Sequence, residues 1–105
     1  MLKHTREFQL VYRKGKSAHS QALVLFYLPQ TSMVSVGFTA SKKVGNAVKR
    51  NRAKRRMRAL FRACAAQLSA GSYVLVAKAE TADIAYVELE KTFARMLRQV
   101  GARQA

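Results

Sequence analysis

A chain of 105 residues is long enough for one modest hydrophobic core and too short for two. Half of its residues are apolar, which excludes wholesale disorder, yet twenty Lys and Arg against five acids leave a net charge of +15. A partner without dense negative charge does not suit such a surface, so nucleic acid is the first candidate.

The charge is also unevenly placed. The acids are Glu7, Glu80, Asp83, Glu88 and Glu90, so residues 8–79 carry fourteen cations and no carboxylate. The single cysteine, Cys64, rules out an intramolecular disulfide and any multi-thiolate zinc site, and suits a reducing compartment. The first residues, MLKHTREFQ, lack the apolar stretch of a signal peptide, and the longest run free of polar residues, 22–29, is far below a membrane span. The expectation is a cytoplasmic protein with no membrane partner.

In chain order, Thr5 is a candidate cap for a helix over about residues 5–14, with Phe8, Val11 and Tyr12 on one side and Gly15 as a left-handed stop. Such a stripe ordinarily buries; an aromatic left at the surface would instead face a base. Residues 17–28 are β-branched, aromatic and aliphatic, Pro29 closes the run, and Gln30-Thr31-Ser32 reads as a turn before 33–40. This predicts an antiparallel pair of strands. In the second, Val34, Val36 and Phe38 alternate with Met33, Ser35, Gly37 and Thr39, giving one buried face and one small, polar face with room for a ligand.

Residues 41–46 form a loop by composition, and Asn46 is a plausible cap for a long helix in which Ala53, Met57, Leu60, Phe61, Cys64 and Leu68 make one apolar stripe. Opposite it run Asn51, Arg55, Arg58 and Arg62, with Arg52 and Arg56 beside them, a solvent-facing row of guanidiniums that an anion would relieve. Arg forks fit phosphate oxygens in a bidentate way that Lys does not, and Asn51 both donates and accepts. Arg50 and Lys54 project near the edge of the stripe, where their stems can also cover the core. Ser69-Ala70-Gly71 ends the helix, residues 72–79 read as a central strand, and a last helix follows Asp83 with Tyr86, Leu89, Phe93, Met96 or Leu97, and Val100 on one side; the tail from Ala102 is expected to fray.

The order helix, strands, basic helix, strand, helix predicts an α/β (α+β) two-layer sandwich on one mixed sheet, with a parallel crossover pair between residues 33 and 79. No catalytic constellation stands out. His4 and His19 have no ligand or carboxylate at a useful spacing, Cys64 lies mid-stripe, and Glu88 and Glu90 point about 200° apart on a helix. Gly45-Asn46-Ala47 lacks the spacing of a nucleotide-binding loop. A structural ribosomal protein or other general RNA-binding protein fits the basicity equally well, whereas no second helix marks a helix-turn-helix DNA reader.

The run Lys42-Lys43-Val44-Gly45-Asn46-Ala47-Val48-Lys49-Arg50-Asn51-Arg52-Ala53-Lys54-Arg55, with Arg58, resembles the signature of the bacterial ribonuclease P protein subunit, Arg-Asn-Arg followed by Lys-Arg. Glu7-Phe8, Tyr12 with Lys14-Gly15, Val36-Gly37-Phe38 and 73–77 extend the likeness over nearly the whole chain, as one ribonuclease P protein domain over residues 1–105. The resemblance implies a subunit that joins a catalytic RNA in a ribonucleoprotein endonuclease removing the 5′ leader of precursor tRNA. It implies that the RNA performs the hydrolysis with Mg2+ and that the protein has no catalytic residue, no metal site and no obligate protein partner.

It further implies an RNA-binding set of Arg50, Asn51, Arg52, Lys54, Arg55, Arg58, Arg62, Lys42 and Lys43. A leader-binding cleft of Phe8, Tyr12, Phe26, Thr39 and Ser41 accompanies it. For the fold, the resemblance implies a left-handed crossover of the kind seen in the second domain of ribosomal protein S5, against the usual hand. Family members often carry a longer basic segment before the first helix than the Met1–His4 found here, and Tyr12 stands where Phe is common, which preserves a π-face.

Overall fold

A single four-stranded mixed sheet organises the chain, which the computed structural model describes over residues 5–30 and 33–102. The elements are α1 (Thr5–Lys14), β1 (Lys16–His19), β2 (Leu23–Pro29), β3 (Val34–Thr39), α2 (Ala47–Cys64), β4 (Gly71–Ala77) and α3 (Tyr86–Gln99). Short 3-10 turns at Lys42–Val44, Ala65–Gln67 and Ala79–Thr81 join them. The strand order is β1-β2-β4-β3, with β3 parallel to β4 and the other pairs antiparallel.

The predicted strand pair is corrected here. The run 17–28 is two strands, folded on each other at Ser20-Gln21, and 33–40 does not pair with it. Ser20 makes that turn: its hydroxyl donates to the Leu23 carbonyl and accepts from the amides of Ala22 and Leu23. The place beside β2 is taken by β4, which is apolar on both faces, Tyr73, Leu75 and Ala77 on one and Val74 and Val76 on the other. A strand of that kind reaches full burial only at the centre of a sheet. The parallel crossover β3–α2–β4 agrees with expectation. Thr31 and Ser32 of the expected turn, His4, and the tail beyond Ala102 lie outside the described residues.

Cross-strand register divides the sheet into two faces. Leu23, Leu25, Tyr27, Tyr73, Leu75, Ala77, Val36 and Phe38 point to the side where α2 and α3 pack, burying Ala53, Met57, Leu60 and Phe61 from the first and Leu89, Phe93, Met96 and Leu97 from the second. The other face carries Val24, Phe26, Leu28, Ser72, Val74 and Ser35 and is covered in part by α1 through buried Val11. α1 stops at Gly15, but not in the left-handed conformation that the sequence predicts. A Cβ there would lie 2.5 Å from the Val11 carbonyl oxygen and 2.8 Å from that of Tyr27, so glycine is required by the close approach of helix to strand.

Several further differences have local causes. α2 ends at Cys64 rather than running on, and a 3-10 turn brings Leu68 into the core. Ala102 does not fray: it is buried, its amide donates to the Leu97 carbonyl and its own carbonyl accepts from the Ser69 amide at 2.7 Å. Arg56 leaves the solvent-facing row. Its Nη1 donates to the carbonyls of Thr81 (2.9 Å) and Ile84 (2.7 Å), and its guanidinium lies 5.6 Å from the Tyr86 ring centre. Thr81, itself buried, donates to the Ala22 carbonyl, so Arg56 and Thr81 tie the segment after β4 to both α2 and the hairpin. Among the described residues no helix is long and apolar enough to cross a membrane.

Two outcomes follow for stability. Replacing Arg56 by Met should cost about 1–3 kcal/mol in denaturant unfolding, the scale of charged hydrogen bonds left unmade, whereas exposed Arg55→Met should stay within about 0.5 kcal/mol. Equal costs would refute the distinction. Burial, with Tyr27 alongside, pushes the Tyr73 hydroxyl well above the ordinary tyrosine range. A raised folded value means that the stability it contributes is fully present below about pH 10 and is lost as pH rises beyond it. The wild type should therefore lose stability progressively as pH rises above about 10 relative to Tyr73→Phe; parallel pH profiles for the two proteins would contradict this.

Candidate nucleic-acid interface

The basic helix is positioned from both ends of its first turn. Ser41 caps the 3-10 turn at Lys42–Val44, accepting from the Lys43 amide, and Asn46 Oδ1 accepts from the Lys49 amide at 2.9 Å. Between them Gly45 adopts a positive φ of 143°, a bend that other residues reach only with strain. Ala53, Met57, Leu60 and Phe61 then fasten the helix to the sheet, and the opposite side is left to solvent.

On that side Asn51, Arg52, Arg55, Arg58 and Arg62 are exposed, as are Lys42 and Lys43 before the helix. Arg50 and Lys54 are half-buried, and Arg50 Nη1 donates to the Gly45 carbonyl at 2.9 Å. Its guanidinium therefore braces the helix start while keeping further donors available. Among the described residues the ion pairs are Lys49–Asp83 (2.7 Å) and Lys91–Glu88 (4.0 Å), and neither uses a member of the expected RNA-binding set. The row is thus a field of positive charge that no acid of the described chain offsets.

Across the sheet lies a second feature. Phe8 and Tyr12 have ring centres 6.4 Å apart, Tyr12 meets Phe26 edge-on at 4.8 Å, and His19 meets Phe26 at 6.2 Å. The structure thus brings together three of the five expected cleft residues and adds His19, to which sequence spacing assigns no role. Its signal is the register partner: His19 faces Val24 across β1 and β2, on the same face as Phe26. Tyr12 is 39% exposed and Phe8 half-buried, so of the helix stripe only Val11 is core and the two aromatics form an open surface.

On the same face of the sheet, beside α1, is a hollow of about 220 Å3 whose lining includes Glu7, Leu10, Val11, Leu28, Ser35 and Ser72. The small, polar row Ser35, Gly37, Thr39 of β3 borders it, as the alternation predicts. Thr39 is on the face of Phe26 but two strands away, roughly 10 Å. Ser41 is not among the aromatics; it stands at the exit of β3, where the cleft face gives way to the basic helix.

Chemically the two features suit polyanion binding and base stacking. Among the described residues no three His, Cys, Asp or Glu side chains converge. A Mg2+ ion needs several oxygen ligands, and the cleft and basic helix offer only the isolated carboxylates of Glu7 and Asp83, the latter paired with Lys49. The residues present do not fit a protein-borne Mg2+ site.

Comparison with known proteins agrees with this geometry. The ribonuclease P family model matches residues 1–101. The chain is 44% identical over 103 residues to the ribonuclease P protein component of a Nitratiruptor species, covering 98% of this chain and 94% of that one. It is 32% identical to that of Bacillus cereus, over 98% and 92% of the two chains. Among solved structures, the Staphylococcus aureus RNase P protein superposes with a TM-score of 0.86 at 25% identity, over 98% and 96% of the chains. The Thermotoga maritima RNase P protein has the same fold, with a TM-score of 0.81 at 22% identity over 94% and 96%. A whole-chain family match, close relatives of similar length and a shared fold, together with the Arg-Asn-Arg helix and aromatic cleft, place this chain in the bacterial ribonuclease P protein family.

Proposed function

We propose that the chain is the protein subunit of ribonuclease P and takes part in forming the mature 5′ end of tRNA by holding two RNA segments at once. The observation that carries this reading is the placement of two different nucleic-acid surfaces on opposite faces of one sheet. The unpaired cations of α2 lie on one side and the run Phe8, Tyr12, Phe26 and His19 on the other.

On the α2 side, Arg50, Asn51, Arg52, Lys54, Arg55, Arg58 and Arg62, with Lys42 and Lys43, dock the catalytic RNA. Bidentate guanidinium–phosphate contacts and counterion release supply most of that affinity. On the α1 side, the single-stranded leader of precursor tRNA stacks on Tyr12 and Phe26 and runs along Ser35, Gly37 and Thr39 towards Ser41. Stacking on aromatic rings tolerates any base, which suits leaders of varied sequence.

The hydrolytic step belongs to the RNA. Mg2+ bound to that RNA would supply the activation of water, and the protein contributes binding and a fixed positive field that lowers the ion concentration required. The enzyme is thus an endoribonuclease only as the ribonucleoprotein, working in the cytoplasm where precursor tRNA is made.

The deciding experiment is cleavage of a precursor tRNA at low Mg2+ by a bacterial ribonuclease P RNA with the protein, without it, and with the protein alone. Stimulation should require both components; a folded protein that fails to stimulate a competent RNA would return the chain to a general RNA-binding role. Tyr12→Ala should weaken binding of precursor tRNA to the assembled enzyme by roughly 5- to 150-fold while leaving mature tRNA unaffected; equal losses for both would place the leader elsewhere. Arg52→Gln and Arg55→Gln should each lower the salt dependence of RNA binding by about one unit of slope with the fold intact, and an unchanged slope would remove those two residues from the interface.

A further inference from the structure

A third surface shares only its arginine rim with these assignments, and its apolar floor belongs to neither. Between β3 and the second half of α2 lies a hollow of about 430 Å3, lined by Val36, Phe38, Phe61 and Ala65 and rimmed by Arg58 and Arg62. Its volume is within the roughly 300–1,000 Å3 typical of sites for small organic groups. Phe38 and Phe61 meet edge-on at 6.2 Å, and the Arg58 guanidinium lies 5.9 Å from the centre of the Phe38 ring. Phe38 is half-buried, so part of its ring remains uncovered. β3 is the last strand of the sheet, so the hollow opens sideways rather than under a neighbouring strand.

We propose that this hollow receives one unstacked nucleotide of the RNA that docks on α2, its base lying against Phe38 and its phosphate held by Arg58 and Arg62. The inference rests on the RNA-binding reading of α2 and adds a specific site to it. Charge and shape select the occupant. Neither arginine has an acid partner among the described residues, so the rim favours an anion. The floor is apolar and aromatic, which a bare phosphate or carboxylate does not need and a base does. Guanidinium planes and aromatic rings are both stacking surfaces for unpaired bases, and Arg58 over Phe38 presents the two side by side. The floor has no hydrogen-bonding side chain to read a base edge, so the pocket accepts a base by shape and position rather than identity.

The test compares the wild type with Phe38→Leu, which keeps apolar bulk and removes the π-face, and Phe38→Tyr, which restores it. Each is titrated against a labelled bacterial ribonuclease P RNA, with thermal unfolding run alongside. Phe38→Tyr should bind like the wild type and Phe38→Leu about tenfold more weakly. That deficit should persist at low salt, because it is not electrostatic, whereas the deficit of Arg62→Gln should shrink there. Wild-type binding with Phe38→Leu within about twofold of it would overturn the pocket while sparing the subunit reading. Failure of the wild type to bind that RNA would overturn both. A readout that needs no variant is ultraviolet crosslinking of the wild-type complex followed by mass spectrometry: nucleotide adducts should map to peptides containing Phe38 or Phe61, and adducts confined to other segments would count against the site. If Phe38→Leu binds RNA normally but loses a decaglutamate peptide that the wild type retains, the hollow belongs to an acidic protein and the proposal falls.

Discussion

The structure depends on a helix that must stay attached to the sheet while carrying cations that repel one another. Within residues 42–62 there are ten Lys and Arg and no acid. Like charges one turn apart disfavour an isolated helix by a few tenths of a kcal/mol per pair. Burial of Met57, Leu60 and Phe61 contributes about 1.5–3 kcal/mol each, so packing exceeds repulsion and the helix holds its place without neutralising its outer side. Phe61 meets Tyr73 edge-on at 5.3 Å, and Tyr73 pairs with Tyr27 at 4.8 Å. The attachment therefore runs directly into the two central strands. A high density of unpaired charge is tolerable on α2 because its reverse side is so well buried.

The central strand serves both layers. By lying between β2 and β3 with apolar side chains on each face, β4 closes the core beneath α2 and α3 and supplies the floor on which α1 rests. It also separates two differently built faces, the aromatic run by Phe26 and Val74 on one and the packing of α2 by Tyr73 and Leu75 on the other. A sheet only four strands wide thus presents two chemically different faces.

Within the basic helix, chemically similar residues have different duties. Arg56 is spent on carbonyls of the segment after β4, Arg50 on the carbonyl of Gly45, and Lys49 on Asp83, whereas Arg52, Arg55, Arg58 and Arg62 remain exposed. The inward-turned members fix the helix register and the loop geometry that the exposed members need in order to present a defined array. Charge removal at Arg56 should therefore act through fold stability and at Arg52 or Arg55 through salt-dependent RNA affinity, while Arg50, with donors left over, serves both.

Much of this was legible in the sequence wherever the information is local. The stripe Ala53, Met57, Leu60, Phe61 and the exposed row beside it follow from helical spacing, the Asn46 cap from residue type, and the small, polar face of β3 from its alternation. The family likeness likewise rests on the contiguous run from Lys42 to Arg58, and the cleft residues Phe8, Tyr12 and Phe26 came with it. What only the tertiary structure decided involves residues distant in the chain: the insertion of β4 beside β2, the recruitment of Arg56 by Thr81 and Ile84, the joining of His19 to the aromatic run, and the hollow between Phe38 and Phe61. The physical reason is that periodicity and capping act within one or two turns of chain, whereas strand neighbours are chosen by competition among all apolar faces for burial, and a guanidinium goes to whichever carbonyls that competition leaves within its reach.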